Sequence, residues 1–129
     1  MSTSLRNMKT SLEDKEKEIA TSLPSVFPWR GKHHPKVEVT FPELTWKCPR
    51  QAYPDFGKIT IMYVVNRDVL ELKSFKLWCN SFRDRYIGHE KVADEIHNTL
   101  KELLQPILIT TTLEINPRGN VKSTITICG

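Results

Sequence analysis

The order of periodic segments predicts an α+β domain, with one antiparallel four-stranded sheet carrying two helices on one face. Two alternating segments precede residue 66, two segments of helical period lie between residues 71 and 105, and two more alternating segments follow residue 106. Strands followed by helices followed by strands do not make repeated βαβ units, so a segregated α+β arrangement is the expected solution.

Residues 1–32 read as a partly ordered arm ahead of a domain spanning residues 33–129. Ser11-Leu12-Glu13-Asp14 has the form of a capping box and supports a short helix through Ile19. Ser22-Leu23-Pro24 and Phe27-Pro28-Trp29 then break the pattern. The charges of this helix alternate in sign over a thin apolar face, so packing on a neighbour and a solvated tail are equally open.

Val37, Val39 and Phe41 alternate with Lys36, Glu38 and Thr40, the pattern of a half-buried strand. A stiff loop from Cys48 to Asp55 follows, because Pro49 and Pro54 fix their own φ and push the preceding residues toward extended geometry. Ile59, Ile61, Tyr63 and Val65 form a second, stronger strand, and Asn66-Arg67-Asp68 a turn. Leu72, Phe75, Cys79 and Phe82, with Trp78, recur at helical spacing and give one apolar face. Lys73, Lys76, Asn80 and Arg83 repeat at the same period and form a cationic stripe. Gly88 breaks the chain. His89-Glu90 opens a second helix whose seam is Val92, Ile96, Leu100, Leu103 and Leu104, and Gln105-Pro106 stops it. Ile107 to Ile115 and Val121 to Ile127 alternate on either side of a glycine-bearing turn, which is a β-hairpin.

Composition bounds the function. At 129 residues the chain holds one modest domain, of a size that often gains stability by oligomerising. A net charge of +4 favours anionic ligands but is too small to argue for nucleic acid. Cys48, Cys79 and Cys128 lie far apart, with no C-x-x-C pair, so neither a disulfide framework nor a zinc ribbon is indicated. No apolar run is long enough for a membrane span, the polar N-terminus lacks a signal-peptide core, and a reducing cytoplasm is the expected compartment. No glycine-rich phosphate loop occurs.

The candidate chemistry centres on Cys48 and Asp55. A thiolate can attack an electrophilic carbon, and a carboxylic acid held nearby can protonate what that carbon releases. Taken alone, a lone cysteine is more often a small buried hydrophobe, and an aspartate after proline a turn former.

The surrounding motifs add to this. Cys48-Pro49 with Pro54-Asp55-Phe56, the run Glu71-Leu72-Lys73-Ser74-Phe75-Lys76-Leu77-Trp78, Ser81-Phe82-Arg83, His89-Glu90 and Pro117-Arg118-Gly119 resemble, from about His34 to Gly119, the NADPH-dependent 7-cyano-7-deazaguanine reductases. These are the nitrile reductases of queuosine biosynthesis, here in their short single-module form. The resemblance implies the tunnelling fold, a ββααββ unit whose sheets join into a barrel by homo-oligomerisation, with sites at subunit interfaces. It implies NADPH as cofactor and a small 7-deazaguanine as substrate, with no direct tRNA contact. Cys48 would form a thioimide with the nitrile carbon and Asp55 would serve as proton donor. Leu70, Glu71, Leu72, His89 and Glu90 would bind the base, and Lys73, Ser74, Lys76 and, more weakly, Arg118 the cofactor. No metal is implied. The chain departs from the family pattern at Pro49-Arg50-Gln51-Ala52-Tyr53, where relatives carry a Thr-Gly pair, and at Trp46-Lys47, where relatives carry small neutral residues. Arg50 adds charge near the sulfur, and Lys47 either favours the thiolate or faces solvent.

Three other readings compete. Relatives of the same fold use the cysteine chemistry for an amidine-forming transfer on tRNA, but lack the motif at Glu71–Trp78. A non-catalytic nucleotide or tRNA binder would use the basic stripe, show steep salt dependence and give Cys48 no task. A cyclohydrolase-like member would need zinc, and Cys48, His89 and His97 are not spaced as a recognisable zinc set.

Overall fold

The structure is a computed structural model that describes residues 2–129, with side chains described from Ser11 onward. Its elements run α1 (Ser2–Ala20), β1 (Val26–Pro28), β2 (Lys36–Lys47), β3 (Pro54–Val64), β4 (Asp68–Leu70), α2 (Leu72–Asn80), α3 (His89–Leu104), β5 (Leu108–Arg118) and β6 (Val121–Cys128). The four long strands form one antiparallel sheet in the order β2-β3-β5-β6. This is the α+β arrangement the periodicity predicts.

One face of the sheet is apolar and meets the helices. Ile59, Ile61 and Tyr63 of β3 and Ile109, Leu113 and Ile115 of β5 are buried there with Val92, Ala93, Ile96, Leu100 and Leu104 of α3. Side chains alternate along a strand, so each strand gives every second residue to this core. Leu72, expected on the buried face of its helix, is 59% exposed instead. It is the first residue of α2, whose buried residues are Phe75, Trp78 and Cys79.

Two differences from the sequence reading bear on the site. First, β2 runs on through Pro42 to Lys47 and β3 begins at Pro54, so the chain between them is a hairpin loop and Asp55 lies within a strand. The pairing shifts between Phe41↔Ile59 and Leu44↔Gly57, a bulge that adds one residue to β2. An added residue reverses which residues face the core. Val37, Val39 and Phe41 therefore hand the inner face to Leu44 and Trp46. Continuing that alternation turns Cys48 toward the face that holds Asp55, Gly57 and Ile59.

Second, the described residues before 33 contribute α1 and β1, and β1 pairs with β4 through Val26↔Leu70, Phe27↔Val69 and Pro28↔Asp68. Asp68, expected in a turn, is thus the first residue of a strand. No helix among the described residues is long and apolar enough to cross a membrane.

Candidate active site

The hairpin loop after β2 is held from within. The Cys48 N–H donates to the Tyr53 carbonyl and the Ala52 N–H to the Cys48 carbonyl, both at 2.9 Å. Closing the loop puts Ala52 at φ +59°, a left-handed conformation unusual for a residue with a Cβ.

The chain joining α2 to α3 closes the other side. The Lys47 N–H donates to the Arg85 carbonyl at 2.9 Å, and the Ile87 N–H donates to the Lys47 carbonyl at 3.0 Å. These bonds strap residues 85–87 onto the outer edge of β2 as a short parallel bridge, Lys47 with Tyr86. Arg85, fixed by a forked pair to Glu95 and lying 4.9 Å from the Phe82 ring centroid, anchors the strap. The strap delivers Gly88, and with it the start of α3, beside Cys48.

A cleft of about 380 Å³ results, lined by Cys48, Pro49, Arg50, Asp55, Gly88, His89 and Glu90. Four of the expected site residues, Cys48, Asp55, His89 and Glu90, meet there. The amino end of α3 opens into it, and unpaired N–H groups at a helix start favour negative charge. Asp55 is 3% exposed and has a partner on each oxygen. His89 Nε2 is hydrogen-bonded to Oδ2 at 3.2 Å, and Arg118 Nη2 lies 2.9 Å from Oδ1. Arg118 also donates to the Pro54 carbonyl at 2.7 Å and covers the Tyr53 ring at 5.8 Å. His89 is in turn packed edge-on against the buried Trp46 ring, with centroids 5.6 Å apart. Trp46 and the Asp55–Arg118 pairing are site features that the sequence reading did not place. The alternation of Trp46 with Cys48 is the signal that could have found the first.

Lys47 does not face the sulfur: its ammonium is 3.7 Å from Asp84 and lies over the Tyr86 ring. Cys79 is no rival nucleophile, because burial in the core pushes its thiol up to about 12.

Apart from Arg118, the remaining expected residues gather at the start of α2, and none of them lines this cleft. Leu70 is buried, with its N–H donating to the Tyr63 hydroxyl at 3.0 Å. Glu71 caps α2: its carboxylate accepts from the Lys73 N–H at 2.7 Å and the Ser74 N–H at 2.9 Å, which holds it below the usual carboxylate range. The Ser74 hydroxyl donates to the Glu71 carbonyl at 2.8 Å and accepts from Ser25. Lys73 and Lys76 are exposed, one helical turn apart, and neither pairs with a carboxylate among the described residues. Two free ammonium groups beside a hydroxyl fit a phosphate-bearing cofactor. The N–H groups of Lys73 and Ser74 are occupied by Glu71, so the side chains would hold the anion. Among the described residues no group of three or more His, Cys, Asp or Glu could hold a metal ion.

Comparison with known proteins is decisive at this point. Residues 54–129 match the family model described as QueF-like protein. The NADPH-dependent 7-cyano-7-deazaguanine reductase of Aquifex aeolicus is 47% identical over 89 residues, 69% of each chain. That of Wolinella succinogenes is 43% identical over 102 residues, covering 79% of this chain and 82% of the relative. The chain belongs to the NADPH-dependent 7-cyano-7-deazaguanine reductase family. The reductase of Sulfurimonas denitrificans extends the match to 88% of this chain and 87% of its own, at 40% identity. Among solved structures, the archaeosine synthase QueF-Like in its apo form superposes with a TM-score of 0.65, covering 77% of this chain and 95% of that one. Its 19% identity speaks for a shared fold only. Membership of the reductase family rests on the sequence relatives.

Proposed function

We propose that this protein reduces the nitrile of 7-cyano-7-deazaguanine to an aminomethyl group at the expense of NADPH, in queuosine biosynthesis. The observation that carries the reading is the meeting of Cys48, Asp55, His89 and Glu90 in one cleft of a chain from this reductase family. A nitrile is a weak electrophile, and covalent capture divides its reduction into easier steps. The Cys48 sulfur bonds to the nitrile carbon to give a thioimide. Asp55, hydrogen-bonded to His89, carries the proton to the nitrogen as one carbon–nitrogen π bond opens. Glu90, at the mouth of the cleft, accepts hydrogen bonds from the N–H groups of the base. The cofactor, when bound, supplies hydride. Lys73, Ser74 and Lys76 would hold its phosphates, and Arg118, which lies beside Asp55 rather than with them, would meet the cofactor from the Cys48 side.

Glu71 and the start of α2 do not line the Cys48 cleft of their own chain, so in this reading the cofactor motif and Leu70–Leu72 serve a cleft completed by a second copy. Both edge strands support association. Val37, Val39 and Phe41 on β2, and Ile125 and Ile127 on β6, are only partly buried, and the outer edge of β6 has no partner strand among the described residues. Closing such edges into a barrel removes a template for aggregation.

The test is turnover. Wild-type protein should consume NADPH only when the 7-cyano base is present and should yield the aminomethyl base. Cys48→Ala should do neither while unfolding at a similar temperature. A Cys48→Ala variant that still consumes NADPH with the nitrile would refute the covalent reading.

A further inference from the structure

Asp55 is addressed from two elements, and its two oxygens are treated differently. Arg118, the last residue of β5, lies 2.9 Å from Oδ1, while His89, the first residue of α3, is hydrogen-bonded to Oδ2 at 3.2 Å. Arg118 is tied at the same time to the backbone of the site strand through the Pro54 carbonyl at 2.7 Å. One guanidinium nitrogen, Nη2, thus lies between a side-chain and a main-chain oxygen of adjacent residues, which ties the place of the Asp55 carboxylate to the backbone of its own strand. A bare phosphate clamp on the protein surface would need neither contact.

We infer that Arg118 is a positioning residue of the nitrile chemistry: it reserves Asp55 Oδ1 for itself and leaves Oδ2, shared with His89, as the oxygen through which the proton passes. The inference rests on the thioimide reading above. In that step the Cys48 S–H bond breaks and the sulfur–carbon bond forms. One carbon–nitrogen π pair moves to nitrogen, and nitrogen gains the hydrogen that sulfur lost, by way of Oδ2. Atoms and electrons balance without an outside acid, base or reductant. A carboxyl free to rotate would offer either oxygen, and proton transfer depends steeply on heavy-atom distance and aim. The ionisable groups around Asp55 are Arg118 from β5, His89 and Glu90 from α3, Cys48 after β2 and Arg50 in the hairpin loop.

Adduct formation in the absence of NADPH isolates this role from cofactor binding. Wild-type protein mixed with the 7-cyano base is followed by absorbance across a range of pH, beside Arg118→Gln, Arg118→Lys and Arg118→Ala. Arg118→Gln is expected to form the adduct about 10- to 100-fold more slowly, with an altered pH profile, and guanidinium ion is expected to restore part of the rate to Arg118→Ala. If the Gln variant fails to unfold cooperatively, the Lys variant, which keeps the charge but not the planar guanidinium, is read in its place with the same slowing expected. Wild-type adduct rates in the Gln or Lys variant, whatever their affinity for NADPH, would overturn the inference. A wild-type protein that forms no adduct would instead refute the thioimide reading on which it stands.

Discussion

Ser25 donates to the Ser74 hydroxyl oxygen twice, from its backbone N–H at 2.9 Å and from its own hydroxyl at 3.1 Å. The Ser25 carbonyl in turn accepts the Glu71 N–H at 2.9 Å. The segment before residue 33 is therefore stitched to the first turn of α2, where the proposed cofactor cations lie. Ser74→Ala removes the acceptor of both bonds and the donor to the Glu71 carbonyl. We expect it to cost about 1 kcal/mol, since these groups are partly solvated, and to raise the KM for NADPH. Urea unfolding and steady-state kinetics check the two halves.

Gly57 stands two residues after Asp55, on the same face of β3. A Cβ there would come within 2.8 Å of the Glu114 carbonyl oxygen, 3.2 Å of Leu113 and 3.3 Å of the Trp46 ring. The nearest atom is backbone in the neighbouring strand and cannot swing aside. Gly57→Ala should therefore destabilise the fold by about 1–3 kcal/mol, the range for overpacking, and should slow the reaction by shifting Trp46 under His89. Unchanged stability would mean that β3 and β5 separate more readily than their register suggests.

The three thiols should differ in reactivity. Cys79 is 1% exposed and its thiol is pushed up to about 12 by burial, whereas Cys48 lies in an open cleft and Cys128 on the surface. The thiolate is the reacting form. Brief alkylation of folded protein followed by peptide mass analysis should label Cys48 and Cys128 and spare Cys79. Prior incubation with the nitrile base should protect Cys48 alone.

Stability should fall on the acid side in two stages. His97 is buried, with Nδ1 hydrogen-bonded to the Thr111 hydroxyl at 2.9 Å. Burial first, and Lys101 second, hold it below its ordinary 6.5. The unfolded chain then binds the proton more readily than the fold, so stability rises with pH up to about 6.5 and drops as pH falls below it. Glu95 and Glu114 are held below their ordinary 4.5, first by Arg85 and by Lys58 respectively. Their contribution is present above about 4.5 and is lost as pH falls further. Thermal unfolding against pH should show both stages, and His97→Gln should remove the first.

Much of the fold was legible because the apolar periods are clean. The long strands, α3 and the hairpin near Gly119 follow from alternation and from helical spacing. The course of β2 past Phe41 was hidden by Pro42, which ordinarily argues against a strand interior. Here it sits at the bulge of an edge strand, where no ladder bond is lost. That bulge also shifts the inner face from odd to even positions, so the shared face of Cys48 and Asp55 could not be read from either strand alone. The pairing of β1 with β4 was invisible because three-residue strands carry too little pattern. At the site, the motif residues Cys48, Asp55, His89 and Glu90 were legible and do converge. The contact of Arg118 with Asp55 spans 63 positions of chain and depends on how the β5–β6 turn folds back over Pro54.

The most direct measurement of the central claim uses no NADPH. Protein is mixed with 7-cyano-7-deazaguanine, and its intact mass is recorded before and after the cofactor is added. We expect a mass increase equal to one molecule of the nitrile, located on Cys48, absent from Cys48→Ala and discharged once NADPH is supplied. An unmodified wild-type mass under conditions of demonstrated turnover would contradict the account.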